Sequence, residues 1–84
     1  MKSFEEINTR IAILHDLGDT LIAAQWDDEV ALVEEEIAIL TNIKGYDETD
    51  TMNAMGVCDY LADCYPTEED FYLTAVAVQA WVLS

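Results

Sequence analysis

Apolar side chains recur along this chain at intervals of three and four, the spacing that places them on one face of an α-helix. Phe4, Ile7, Ile11 and Leu14 form the first such stripe. It opens with Ser3-Phe4-Glu5-Glu6, the form of a capping box, in which Ser3 accepts from the amide three residues on and Glu6 reaches back. The stripe predicts a helix that begins there and ends near Gly18, since glycine is a frequent helix stop.

The stretch from Asp19 to Lys44 reads either as one long helix or as a short turn of helix followed by a longer one. A break near Trp26-Asp27 is preferred. Asp27 is a good N-cap, and Asp28 and Glu29 then fall in a first turn, where the positive end of the helix dipole favours carboxylates. Gly45 supplies the stop. Between Val30 and Ile43 the apolar residues divide, with Val30, Val33, Ile37 and Leu40 on one side and Leu32, Ile39 and Ile43 nearly on the other. A helix of this kind wants two neighbours, through a central place in the fold or through a second copy or partner.

Tyr46 to Thr51 is a polar link, with Asp50 or Thr51 placed to cap a third helix running to about Cys64 and contributing Met52, Met55, Cys58 and Leu61 to the core. Pro66 breaks the chain, and Thr67-Glu68-Glu69-Asp70 offers an N-cap with an acidic first turn. The last helix, Phe71 to Leu83, has no charge and only Thr74 and Gln79 as polar interruptions, so it is expected to be buried on most sides. The prediction is an all-α fold, a small bundle of about four helices in one domain spanning 1–84, with the last helix largely buried. So short a chain has difficulty covering both the two-faced helix and the uncharged one, which points to a homodimer or a hydrophobic partner groove, with Val78 and Trp81 as the candidate apolar interface.

Charge changes the picture. Eighteen carboxylates face three basic side chains, Lys2, Arg10 and Lys44, for a net charge of −15, yet 52% of residues are hydrophobic. Such a chain folds instead of remaining disordered, because it has enough apolar surface to offset the ordering entropy. The N-terminus lacks the order of a secretory signal, and the longest uncharged stretch, Phe71 to Ser84, is shorter than the roughly 20 residues that span a bilayer. No membrane association is expected. Cys58 and Cys64, about 120° apart around one helix, are read as reduced and partly buried, in keeping with a cytoplasmic setting.

Two acidic triplets stand out, Asp27-Asp28-Glu29 and Glu34-Glu35-Glu36, seven residues apart, so that two helical turns stack them into rows about 10 Å long. Asp59 and Asp63 add a pair about 6 Å apart on the next helix. Acids in a first turn serve the dipole, which accounts for Asp27 to Glu29. The plain alternative, that the remaining acids form a solvated face, explains Glu34 to Glu36 in a helix body poorly, since like charges there cost stability. These eight residues are the candidate partner-binding surface, with carboxylates standing in for the phosphates that a basic groove holds.

In size, in charge and in the absence of catalytic residues, the chain resembles the small acidic proteins of phages and mobile elements that act as anti-CRISPR or anti-restriction DNA mimics. That resemblance implies a stoichiometric inhibitor occupying a DNA- or RNA-binding channel. A more distant comparison is the acyl carrier protein, but Thr20 in Gly18-Asp19-Thr20-Leu21 stands where the carrier's modified Ser is required. Asp47-Glu48-Thr49-Asp50 fails the calcium-loop template, with Met52 and Cys58 at its sixth and twelfth positions. His15 is the only histidine, Ser3 and Ser84 the only serines, and no glycine-rich phosphate loop occurs. The reading is therefore a protein with no enzymatic activity, cofactor or metal, which binds a basic nucleic-acid-binding protein and not nucleic acid itself. The alternative is a helical homodimerisation or adaptor module acting through its apolar faces.

Raising sodium chloride from low to physiological ionic strength is expected to raise the melting temperature, because it screens repulsion among exposed carboxylates. Circular dichroism checks this, and a melting temperature that falls with salt contradicts it.

Overall fold

The computed structural model describes residues 2–45, 54–68 and 70–84. They form four helices, α1 (Phe4–Ala23), α2 (Asp27–Gly45), α3 (Ala54–Cys64) and α4 (Tyr72–Leu83), with no strand among the described residues. The link expected to hold Asp47 to Asp50, the cap at Asp50 or Thr51, and Met52 lie outside them, as does the Met55 side chain. No described helix is long and apolar enough to cross a membrane.

The N-terminus of α1 forms as its sequence predicts. Ser3 Oγ accepts from the Glu6 amide at 3.2 Å, and Glu6 Oε1 accepts from the Ser3 amide at 3.3 Å. The Ser3 amide foremost, and then the Ser3 hydroxyl, hold the Glu6 carboxyl below the usual carboxylate range. The other end does not form as predicted. Gly18 lies inside α1 and is buried, and the helix runs on to Ala23. The chain turns at Gln25, which has φ 62°. The Gln25 amide donates to the Ile22 carbonyl and the Trp26 amide to the Leu21 carbonyl, each at 3.0 Å, the pair of bonds of a Schellman motif. Gln25 thus occupies the left-handed position that usually belongs to glycine, while the glycine of this helix serves packing.

α1 and α2 form an antiparallel hairpin. The break near Trp26 and the start at Asp27 are as expected, although the Val30 amide bonds the Trp26 carbonyl, which gives the cap position to Trp26 and the first helical position to Asp27. α2 packs against both α1 and α4, the two neighbours its divided apolar pattern demands. Val33 and Leu40 are buried on one side, and Ile39 and Ile43 are buried roughly a quarter turn away. Leu32 does not join them and is 48% exposed.

The core gathers these residues with Ile7 and Leu14 of α1, Val57 and Leu61 of α3, and Ala75, Val78 and Val82 of α4. Two expectations need correction here. Glu68 and Asp70 precede α4 in a turn and do not form its first helical turn. α4 is not buried on most sides: Ala75, Val78 and Val82 face the core, while Leu73 and Val76 face outward, because α3 and the hairpin cover only one flank. The cysteines are free, Cys58 half-buried and Cys64 exposed.

The hairpin helices of 20 and 19 residues are about 30 Å long, whereas α3 and α4, of 11 and 12, reach only about 17 Å. The Lys2 amide donates to the Val82 carbonyl at 2.7 Å, so the C-terminus of α4 lies at the open end of the hairpin. The turn end extends beyond this cover. Ile13, Leu17, Ile22, Trp26 and Leu32, all exposed, lie on the hairpin.

A Cβ added at Gly18 would meet Val33 Cγ1 at 3.5 Å, an ordinary contact. Gly18→Ala and Gln25→Gly are each expected to stabilise the fold by about 0.5–1 kcal/mol, the first through helix propensity and the second by relieving the left-handed strain. Urea unfolding measures both, and a destabilised Gln25→Gly would contradict the turn.

Candidate protein-binding surface

Each basic side chain among those described lies toward the open end of the hairpin. Lys2 Nζ is 4.0 Å from Glu6 Oε2, and Arg10 Nη2 donates to Glu36 Oε1 at 3.0 Å. Both cations also lie over the Trp81 ring, at 5.4 Å and 5.9 Å from its centroid, within the range of cation–π attraction. α4 has no basic residue in its own last turn. Lys2 and Arg10 bring positive charge to its C-terminal end through space, where the helix dipole favours it.

The acidic triplet in the body of α2 divides three ways. Glu36 reaches Arg10 of α1, Glu35 accepts a hydrogen bond from the Tyr65 hydroxyl just beyond α3, and Glu34 is exposed. Burial, and then the Glu35 carboxylate, push the Tyr65 phenol above its ordinary value. Two of the three carboxylates that the sequence alone could not place as structural are therefore bonded within the fold, each to a different element.

What remains is concentrated at the turn. Asp27, Asp28 and Glu29 are exposed and line an open depression with Gln25 and Trp26. Glu34 lines a groove between α1 and α2 with Asp19, His15, Ile22 and Val30. Asp19 is exposed near the end of α1. With Asp19 these give five carboxylates toward the turn, and no salt bridge among the described residues reaches them. From Arg10 to the turn, where Asp27, Asp28 and Glu29 lie, is roughly 20 Å of helix, well beyond the screening length of about 8 Å at physiological salt, while Glu34 stands two residues from Arg10's partner Glu36. Asp59 and Asp63 are exposed on α3, which packs on α4 and not on the turn. The structure thus brings Asp27, Asp28, Glu29 and Glu34 to the turn half of the hairpin, adds Asp19 beside Glu34, and separates Glu35, Glu36, Asp59 and Asp63 from them.

Asp19 follows the apolar stripe of α1, and only pairing that helix with α2 shows that it lies beside Glu34. Of the candidate apolar interface, Val78 is 2% exposed and committed to the chain's own core, and Trp81 is half-buried beneath the two cations. Among the described residues no three His, Cys, Asp or Glu side chains are grouped so as to hold a metal ion. No family model matches the chain, and comparison with curated proteins and with solved structures finds no match.

Tyr65→Phe removes the bond to Glu35 and is expected to cost about 1–2 kcal/mol. Because folding raises the Tyr65 pKa, the unfolded chain loses that proton first. The stabilisation is therefore complete below about pH 10, the ordinary tyrosine value, and declines as pH rises above it. Urea unfolding at neutral and alkaline pH should show a steeper alkaline loss for the parent than for Tyr65→Phe. Parallel curves would argue against the bond.

Proposed function

We propose that this chain is a non-enzymatic inhibitor whose acidic hairpin turn binds a basic nucleic-acid-handling protein in the place of nucleic acid. The observation that carries this reading is the group of five exposed carboxylates toward the turn of the hairpin, Asp19, Asp27, Asp28, Glu29 and Glu34, which no salt bridge among the described residues reaches. Like charges gathered so closely repel one another, and the surface gains from them when a cationic groove arrives. A groove lined with Lys and Arg and shaped to hold phosphates meets there a comparable density of negative charge.

Trp26 adds contact area. It is 58% exposed beside Asp27 and Asp28, and an aromatic side chain within a charged patch is a common anchor at protein interfaces. The likeness in kind to phage-borne DNA mimics gives the target its class, a host-defence or other nucleic-acid-binding channel. The chain itself is expected to have no affinity for DNA or RNA, since both carry its own sign of charge.

The variant that tests the reading must spare Glu35 and Glu36, whose contacts belong to the fold. Asp27→Asn, Asp28→Asn and Glu34→Gln together remove three charges from the group and leave those contacts in place. DNA–cellulose loaded with a lysate of the native host retains its nucleic-acid-binding proteins. The parent chain is expected to release a discrete protein from it, the triple variant to release it at least tenfold less effectively, and high salt to weaken the complex formed. If the parent releases nothing, or the variant performs as well, the reading fails.

A further inference from the structure

α4 carries no charged side chain from Tyr72 to Leu83. Its core-facing side is taken up by Ala75, Val78 and Val82. Its outward side presents Leu73, 78% exposed, and Val76, 44% exposed, with exposed Ala77 and Ala80. At 100° per residue these four fall within about 100° of arc, an apolar stripe about 10 Å long. Beside it opens a cleft of about 470 Å³ between α3 and α4, lined by Cys58, Leu61, Ala62, Tyr72 and Val76 among others, so that Val76 belongs to both.

We propose that this face receives a second copy of the chain, with α4 packed antiparallel on the partner's α4 about a two-fold axis. Charge selects the occupant. Each copy carries a net charge of −15, and α1, α2 and α3 all bear carboxylates, so contact through them sets like charge against like charge. The uncharged helix lets two copies touch with their acids kept to the periphery. A basic partner gains nothing from such a face and is drawn to the hairpin turn.

Shape supports the same occupant. A two-fold contact must be self-complementary. Antiparallel pairing centred between Val76 and Ala77 sets Leu73 against the partner's Ala80 and Val76 against the partner's Ala77, with the reciprocal contacts on the other side. A large residue meets a small one at every pairing, which allows the helix axes to approach to about 8 Å. The stripe is short, so the contact belongs to the small, transient class of interface.

Sedimentation velocity on the full chain tests this. The dimer fraction is expected to rise with concentration and with sodium chloride up to about 0.5 M, where screening reaches only a few ångströms. Complexes held by the acidic turn weaken under the same change, so the two surfaces fail or succeed separately. Leu73→Asp places a carboxylate in the first turn of α4, where the dipole tolerates it, and should weaken the dimer at least tenfold while the dichroism spectrum stays helical. Ile13→Asp, on the hairpin, should leave it unchanged. A parent that stays monomeric near 1 mM in high salt overturns the proposal, as does a Leu73→Asp chain that dimerises like the parent. Loss of the dimer with Ile13→Asp in place of Leu73→Asp moves the contact to the hairpin and overturns it equally.

Discussion

Lys2 and Arg10 converge on the ring of Trp81, and that meeting ties the open end of the hairpin to α4. Arg10 joins three helices at once, as part of α1, as donor to Glu36 of α2 and as a cation over Trp81 of α4. Lys2 adds a backbone bond to Val82 and a second cation on the same ring. In a chain with eighteen carboxylates and three basic side chains, the placing of each cation decides where negative charge is neutralised and where it accumulates. These two lie at the open end of the hairpin, beside the negative end of the α4 dipole, and the turn end is left without them.

Length reinforces this polarity. α3 and α4 are little more than half as long as the two helices of the hairpin, so the cover they provide stops short of the turn. Ile13, Leu17, Ile22, Trp26 and Leu32 therefore remain at the surface in company with most of the acids grouped toward the turn. The proposed inhibitor function draws on the charged end, and the proposed self-association draws on the uncharged flank of α4. The two surfaces differ in their response to salt because one gains from attraction and the other from the screening of repulsion.

The elements of this fold were largely legible in the sequence. The capping box at Ser3 and the break before Asp27 follow from local spacing and local hydrogen bonding and appear where expected. The two-faced pattern of Val30 to Ile43 gives two neighbours to α2 but leaves Leu32 at the surface and sets Ile39 and Ile43 only roughly a quarter turn from Val33 and Leu40. The end of α1 did not follow, because a glycine within a helix and a glycine that stops one look alike until the neighbour is known. Val33 against Gly18 makes this one a packing residue, and the true stop falls on Gln25, whose side chain gives no such signal. The charge-free run of α4 likewise suggested burial all round, yet hydrophobicity records what a helix can bury and not what is available to cover it.

By itself the sequence determined that the chain is helical, where α1 and α2 begin, and that it is strongly acidic, since these depend on residues within a few positions of one another and on composition. Tertiary structure alone decided what each acid does. Glu34, Glu35 and Glu36 are consecutive and chemically identical, but successive residues on a helix point about 100° apart. One therefore meets Arg10 of α1, one meets Tyr65 beyond α3, and one meets solvent beside Asp19, according to which element the fold places in each direction.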